Sequence, residues 1–221
     1  KILRAYLLHA GVPEKNIIEE YTPFHHQDYQ TIVGKIKKFA RGGDAAVLST
    51  INGDSNVPFY KEFTNQGLTA DDAPIMAFSV AEDELRGMDA KALAGHLAAW
   101  NYFQSIDTPE NNKWVANFKE YARTHGLPGG SKRVTDDPME AAYYGVYLWA
   151  NAVEKAGTTD VDAVRKAVYG TVFDAPGGKK KADPANHHMY KEVYIGEILK
   201  NGQFRVVWKS DGLVRAEPWS K

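Results

Sequence analysis

Residues 45–63 read AAVLSTINGDSNVPFYKEF, and this stretch decides the fold. Its first part, 45–50, is a continuous apolar run between turn signals, which is typical of a parallel strand covered on both faces. Asp54 and Ser55 are preferred helix N-caps, and the aromatic residues that follow share one face of a helix that stops at Gly67. A buried strand that leads directly into a capped helix predicts one βα unit of a parallel sheet.

The same alternation continues on both sides of this unit. A helix is predicted at 1–10, a short strand at 17–21, and a second helix after a cap at Asp28. Downstream, 73–80 has the composition of another buried strand, and 81–88 that of a short acidic helix. Strands and helices that alternate in this way predict an α/β protein with an open parallel sheet.

The second half of the chain follows a different pattern. Helices are predicted at about 110–125, 138–156 and 160–169, and the remaining residues contain a glycine turn and two alternating strands of an antiparallel pair. The basic run Lys179–Lys181 is interpreted as a solvated hairpin tip, since it is too short to form a basic binding patch.

Composition limits the classes of function. The chain has 221 residues, of which 43% are hydrophobic and 25% charged, with a net charge of −1 and no cysteine. This composition is typical of a globular protein with a hydrophobic core. The net charge gives no reason to expect nucleic acid as a partner. Thiolate metal sites, disulfides and cysteine nucleophiles are excluded, and no stretch approaches the roughly 20 apolar residues that span a bilayer.

The sequence contains no motif that is diagnostic of catalysis. The sequence has no GxSxG elbow, phosphate loop, HExxH motif or GxGxxG motif. The pairs His25-His26 and His187-His188 leave a metal-dependent hydrolase as one alternative. Adjacent histidines on an extended chain point to opposite faces, however, so one pair does not supply two ligands to one metal. We therefore predict neither a metal nor a cofactor.

Two loops carry the polar groups expected of a binding site. Ligands of open parallel sheets lie beyond the carboxyl ends of the strands, where loops meet helix N-termini. Residues 49–56 form one such junction, and 78–82 form the next. Helix capping explains their Asp, Ser and Glu residues equally well, but a cap also places polar groups at the mouth of a cleft. The sequence therefore predicts that the two junctions share one crevice.

Five segments resemble a known family in order and spacing. The chain resembles the urea and short-chain-amide binding proteins of ABC transporters, and also the related cytoplasmic amide-sensing regulator. Both are type I periplasmic binding proteins of the branched-chain amino-acid receptor class. The segments are TINGDSNVPFYKEF (50–63), FSVAEDEL (78–85), WNYFQSIDTPEN (100–111), EAAYYGVYLWANAVEKAG (140–157) and FDAPGG (173–178).

The resemblance implies an arrangement of domains. It implies the type I periplasmic-binding-protein fold, with a Rossmann-like open parallel sheet as one lobe plus part of a second lobe. Residues 1–98 would form the ligand-binding lobe, 99–170 the hinge crossing and the helical part of the other lobe, and 171–221 the strands that return to the first lobe. The chain would be the C-terminal portion of such a protein, so an apolar surface of 107–170 would be exposed, and we expect a homodimer to cover it.

The resemblance also implies a site. Urea or a short-chain amide presents several N–H donors and one carbonyl oxygen, so a selective pocket needs acceptors, a donor or two, and flat apolar walls. Acidic side chains would accept amide hydrogens, hydroxyl groups would donate or accept, small residues would offer backbone groups, and tyrosines would form walls. The residues carried over by motif position are Gly53, Asp54, Ser55, Ser79, Val80, Tyr102, Glu140 and Tyr143.

Further expectations follow from the same resemblance. The protein would bind its solute without chemistry and deliver it to ABC permease subunits in the periplasm, although the sequence carries no signal peptide. A cytoplasmic amide sensor of similar fold and a branched-chain amino-acid receptor remain alternatives. The latter would need groups for both a carboxylate and an ammonium.

Overall fold

The computed structural model describes residues 1–218. It contains seven α-helices within that range, and the predicted helices of both halves are confirmed. They are α1 (Ile2–His9), α2 (Gln30–Ala40), α3 (Asn56–Asn65), α4 (Glu82–Leu85), α5 (Pro109–Thr124), α6 (Asp137–Ala156) and α7 (Val161–Val168). The strands are β1 (Val47–Ser49), β2 (Ile75–Ala77), β3 (Leu97–Trp100), β4 (Val172–Ala175), β5 (Gly178–Ala182), β6 (Met189–Tyr190), β7 (Tyr194–Ile198) and β8 (Phe204–Lys209).

The main sheet has five strands in the order β1-β2-β3-β7-β8. Its first three strands are parallel, with Leu48 opposite Met76 and Ala77 opposite Ala98. Strand β7 then pairs antiparallel with β3, and β8 pairs antiparallel with β7. The mixed α/β architecture with a parallel-rich sheet confirms the predicted fold class, and the predicted antiparallel pair near the end of the chain is also confirmed.

The main core lies between this sheet and helices α2 and α3. Val33, Phe59, Phe63 and Ile75 are all buried in one apolar cluster. Burial of each such side chain contributes about 1.5–3 kcal/mol, so this face of the sheet anchors the two loops that follow β1 and β2.

A close contact fixes the position of β7 against the core. A Cβ atom at Gly196 would lie 2.7 Å from the ring of Phe103, which is itself fully buried against Phe204. Only glycine fits this position without displacing the ring, so the sequence makes room for the aromatic pair by omitting a side chain.

A smaller unit combines α5, α6 and α7 with a second sheet in the order β4-β5-β6. Its helices have well-formed N-caps, since Thr108 accepts from the Asn111 N–H at 3.2 Å and Asp136 from the Met139 N–H at 2.9 Å. Tyr144 forms part of its small buried cluster. The opposite side of α6 remains open, where Val146 is 64% and Trp149 56% exposed.

Two predictions about local structure are wrong. Residues 17–21 form no strand, because no backbone hydrogen bond joins residues 18–21 to another backbone group of the described chain. The run Lys179–Lys181 is not a hairpin tip, because the turn lies at Pro176-Gly177 and the run belongs to β5. Neighbouring side chains of a strand point to opposite faces, so Lys179 is exposed whereas Lys180 is fully buried.

Candidate functional site

The two predicted junctions lie side by side at one edge of the main sheet. Strands β1 and β2 are parallel neighbours, so their carboxyl ends meet at the same edge. Asn56, the first residue of α3, joins the loops that follow them. Its fully buried amide Nδ2 donates to the carbonyl oxygens of Ile51 at 3.0 Å, Gly53 at 3.2 Å and Ser79 at 3.2 Å. One side chain therefore holds both rims in a fixed relation.

The loop after β1 presents its polar groups in a tight turn. Gly53 has a φ of +62°, a left-handed conformation that glycine adopts without strain, and it begins a short 3-10 turn through Ser55. Asp54 lies exposed at the tip of this turn. Ser55 is buried, and among the described residues its hydroxyl oxygen has no hydrogen-bond partner. A buried hydroxyl without a partner is costly, so this atom is a natural contact for a ligand.

A cavity of 190 Å³ opens beside this turn. Its polar lining comes from Ser49, Thr50, Asn52 and Ser55, while Phe59 contributes an apolar wall. Residues 20–24 close the other side, and Glu20 is the one charged residue that lines it within the described chain. A cavity with hydroxyl and amide groups beside aromatic rings can hold a small polar solute by neutral hydrogen bonds.

The loop after β2 is anchored by the protein itself. The carbonyl of Val80 accepts from the Trp100 indole N–H at 2.7 Å, and Val80 is buried. Ser79 is partly buried, and its carbonyl is the one that Asn56 contacts. The Glu84 carboxylate accepts from the Ala81 N–H at 2.8 Å, which caps the start of α4. Ser79 and Val80 therefore lie in the loop that adjoins the cavity, but they do not line it.

Glu82, at the start of α4, is a buried carboxyl group next to this loop. Its Oε1 accepts from the Gln104 N–H at 2.6 Å, whereas Oε2 has no partner among the described residues. Burial raises the pKa of Glu82 to about 8, which the Gln104 N–H only partly opposes. At neutral pH the side chain is therefore mainly protonated, and it packs as a neutral group where the chain crosses from β3 towards α5.

Tyr102, Glu140 and Tyr143 are not brought to the cavity, since none of them lines it. Tyr102 is fully buried, and its hydroxyl donates to Asn111 Oδ1 at 2.9 Å and lies 2.8 Å from the Thr135 hydroxyl. In this chain its polar atom is thus engaged inside the protein.

Glu140 belongs to a buried ion pair. Its Oε1 accepts from the Gly177 N–H at 2.8 Å and lies 3.5 Å from the Lys180 ammonium, and both side chains are almost completely inaccessible. Burial raises the pKa of Glu140, while Lys180 opposes this shift; burial likewise lowers the pKa of Lys180, while Glu140 opposes that shift. The pair binds the start of α6 to the turn between β4 and β5.

Tyr143 stands on the open side of α6. Its ring lies 5.4 Å from that of Trp114 and 5.0 Å from that of Tyr147, measured between centroids, and 37% of the residue is exposed. These rings form an aromatic surface separate from the polar cavity, suited to contact with a flat partner or another apolar surface.

The histidine pairs do not assemble a metal centre. Within residues 1–218 no three His, Asp or Glu side chains are grouped so that they could hold a metal ion. His26 contacts the carbonyl of Asp28, and His187 packs against Tyr169. No helix in the described part of the chain has the length and apolar character needed to cross a membrane.

Sequence reasoning missed one wall of the cavity. Tyr21 and Phe24 line it, and both side chains are largely exposed. They come from a segment that the sequence predicts in part as a strand, and that prediction does not indicate a site. The signal that could have found them is the aromatic pair itself, which flanks Pro23 at the expected end of a strand.

Comparison with known proteins places these features in a family. A family model described as a periplasmic binding protein domain matches residues 1–221. The Leu/Ile/Val-binding protein homolog 6 of Brucella melitensis biotype 1 is 27% identical over 181 residues, which cover 80% of this chain and 44% of that protein. A protein named limonene hydroxylase from Geobacillus stearothermophilus is 32% identical over 131 residues, 59% of this chain and 23% of that protein. The chain thus spans less than half the length of these curated relatives.

Solved structures show the same fold. An amino acid ABC transporter substrate-binding protein from Pseudomonas fluorescens Pf-5 aligns with a TM-score of 0.77 at 16% identity, over 98% of this chain and 55% of that one. A solute-binding protein of an ABC transporter from Rhodopseudomonas palustris HaA2, in complex with p-hydroxybenzoic acid, aligns with a TM-score of 0.74 at 22% identity, over 96% and 58%. At such identities the likeness shows the fold alone. Because the family model matches the whole chain, this protein belongs to the periplasmic binding protein domain family.

Proposed function

We propose that this chain is part of the solute receptor of an ABC import system, and that it binds a small neutral solute such as urea or a short-chain amide without chemistry. The observation that carries the proposal is the polar cavity at the end of β1, into which neutral hydroxyl and amide groups face. Membership of a binding-protein family supports a role in binding.

The chemistry of the cavity favours a neutral ligand. Ser55 offers a buried hydroxyl without a partner, and Asn52 and Thr50 offer further donors and acceptors. Asp54, at the exposed tip of the neighbouring turn, would accept the N–H groups of an amide once a second lobe closes over it. Ser79 and Tyr143 are partly exposed and would be contacts only in a closed receptor that brings the two lobes together. Val80, Tyr102 and Glu140 are buried and bonded within the protein, so we do not place them among the contacts.

Ligand titration tests this function. Isothermal calorimetry of the full-length receptor with urea, acetamide, formamide and leucine should show binding of an amide but not of leucine. Ser55→Ala should weaken that binding by roughly five- to a hundredfold, because a buried hydrogen bond to the ligand contributes about 1–3 kcal/mol. Asp54→Ala should weaken it similarly.

The matched control is Asp71→Ala, which removes an exposed carboxylate from the loop that enters β2, at the opposite end of that strand. This variant should bind as the unaltered receptor does. Equal affinity of Asp54→Ala, Ser55→Ala and the unaltered receptor would contradict the assignment of the site, and binding of none of the amides would contradict the ligand class.

A branched-chain amino-acid receptor is the second candidate, because the Brucella relatives carry the name Leu/Ile/Val-binding protein homolog. Such a ligand needs a partner for its carboxylate and one for its ammonium group. The acidic residue that lines the cavity, Glu20, is already paired with Lys35 at 2.7 Å, and the lining within the described chain contains no cationic side chain for the carboxylate. A regulatory protein that senses amides in the cytoplasm is a third reading of the same site. Location in the periplasm and contact with permease subunits belong to the transport proposal.

The division of the chain into a lobe at 1–98, a crossing at 99–170 and returning strands at 171–221 is part of this proposal. In this arrangement no element of the described chain covers the open side of α6. We propose that a second copy of the chain covers it. Sedimentation equilibrium should then show a dimer that Trp149→Glu weakens. A monodisperse monomer at high protein concentration would contradict this.

A further inference from the structure

A second and larger hollow lies between the main sheet and the smaller unit. This basic crevice has a volume of 910 Å³, and its walls come from the segment after α4, the turn between β7 and β8, helix α5 and the loop ahead of α6. Five cationic side chains and one carboxylate line it within the described chain, namely Arg86, Lys91, Lys119, Lys132, Lys200 and Asp89. Because the whole chain carries a net charge of −1, this excess of positive charge is local.

The four lysines of the basic crevice lack acidic partners. None of them forms an ion pair with a carboxylate in residues 1–218, whereas Lys35 and Lys179, elsewhere on the surface, are each paired with an acidic side chain. Asp89 accepts from the Lys91 backbone N–H at 3.1 Å and so stabilises a turn. Like charges that gather in one place repel each other, and an anion bound among them would relieve this repulsion.

The two walls of the basic crevice are linked by Gln104, which also lines it. Its Nε2 donates to Gln203 Oε1 in the turn between β7 and β8 at 2.7 Å, and its Oε1 accepts from the Thr135 N–H in the loop ahead of α6 at 2.9 Å. A Cβ atom at Gly129 would lie 3.1 Å from the Arg86 guanidinium, so the walls also approach each other there. These contacts hold the cationic side chains of both walls around one space.

The lining of the basic crevice suits phosphoryl groups. Lysine is a compact point charge with three donors and is a common phosphate ligand, whereas the planar fork of arginine matches a carboxylate best. Arg86 is already engaged, since it lies 3.0 Å from Asp83. No aromatic side chain lines the crevice within the described chain, so the base of a nucleotide would find no ring on which to stack.

We propose that the basic crevice binds a linear inorganic polyphosphate such as triphosphate, and that lysines of both walls contact its phosphoryl oxygens. Triphosphate carries roughly four negative charges at neutral pH, which offset the five cations and one carboxylate of the lining. No residue lines both this crevice and the polar cavity at the end of β1. The inference therefore holds or fails independently of which solute the receptor binds.

Calorimetric titration of the full-length receptor with sodium triphosphate, in a buffer free of divalent metals, tests the site. Binding should be measurable at low ionic strength and should weaken as salt is added. Lys119→Gln with Lys132→Gln removes two charges from the wall of the smaller unit, and Lys91→Gln with Lys200→Gln removes two from the opposite wall. Each double variant should weaken the binding of triphosphate at least about tenfold, because each lost contact is a charge-assisted hydrogen bond.

The matched control is Lys38→Gln with Lys61→Gln, which removes two exposed lysines from α2 and α3 and changes the net charge equally. It should bind triphosphate within about twofold of the unaltered receptor. Equal binding by all three double variants would overturn the proposal, because the attraction would then be general electrostatics. The proposal is also overturned if triphosphate does not bind, if only one wall matters, or if citrate or ATP binds more tightly than triphosphate.

Discussion

Lys180→Met is expected to lower the free energy of unfolding by about 3–5 kcal/mol, because it leaves the Glu140 carboxylate buried without its cation. Lys180 also donates to the Gly177 carbonyl at 3.3 Å, so the change removes one more contact from the same turn. Methionine is similar in length, so the loss reflects charge more than volume. Urea denaturation followed by tryptophan fluorescence measures the effect.

Two further variants test whether the loss of stability comes from the Glu140–Lys180 ion pair and not from neighbouring contacts. Lys179→Met removes the adjacent lysine, which is exposed and paired with Asp174 at 2.8 Å, and it should change stability by less than about 0.5 kcal/mol. In the double variant Glu140→Gln with Lys180→Met, the amide oxygen still accepts from Gly177, and most of the lost stability should return. A Lys180→Met protein no less stable than Lys179→Met would show that the pair is not buried as described.

Glu82→Gln is expected to stabilise the protein relative to the wild type on the alkaline side, by an amount on the order of 5 kcal/mol. The pKa of Glu82 in the folded state is raised to about 8 from an ordinary value of 4.5. Below pH 4.5 the carboxyl group is protonated in both states, so glutamine and glutamate should be nearly equivalent. Between pH 4.5 and 8 the unfolded chain releases a proton that the folded chain keeps, so the wild type loses stability as the pH rises. Glutamine carries no proton to lose.

Thermal unfolding at pH 4, 6 and 8.5 measures this difference. Glutamine can keep the 2.6 Å bond from the Gln104 N–H, since its side-chain oxygen is also an acceptor. The control Asp83→Asn removes a carboxylate from the same helix, but one that is partly exposed and paired with Arg86, and it should not gain stability towards alkaline pH. A difference in melting temperature between Glu82→Gln and the wild type that stays constant with pH would refute the buried, protonated state of Glu82.

Local patterns in the sequence predict β1, β2 and the helices that cover them, whereas no strand is predicted at the central strand β3. Apolar runs at 45–50 and 73–80 and capped helices after them are local patterns, and local patterns survive folding when the tertiary contacts agree with them. Residues 17–21 show the limit of this reasoning. Their composition suits a strand, but a strand also needs a neighbour, and hydrogen-bond partners cannot be read from composition.

The sequence predicts the positions of only some of the candidate site residues. The rule that loops at the carboxyl ends of parallel strands share an edge places residues 52–56 beside 78–82, where Asn56 joins them. The predicted shared crevice is not formed, because no residue of 78–82 lines the cavity. The rule gives no information on Glu140, whose partner Lys180 lies forty residues further along the chain and belongs to a run that looked solvent-exposed. Such pairing depends on which face of β5 turns inward. That choice is made by packing against α6 and not by the local sequence.

The pairing of β3 with β7 joins residues 97–100 to residues 194–197. As the chain leaves the ribosome, the edge of β3 emerges early and stays unpaired until β7 has been synthesised. Closure of this sheet is therefore a late step with a high entropic cost, during which the exposed edge can recruit strands from neighbouring nascent chains. Fidelity of folding thus depends on how well that edge is shielded before synthesis is complete.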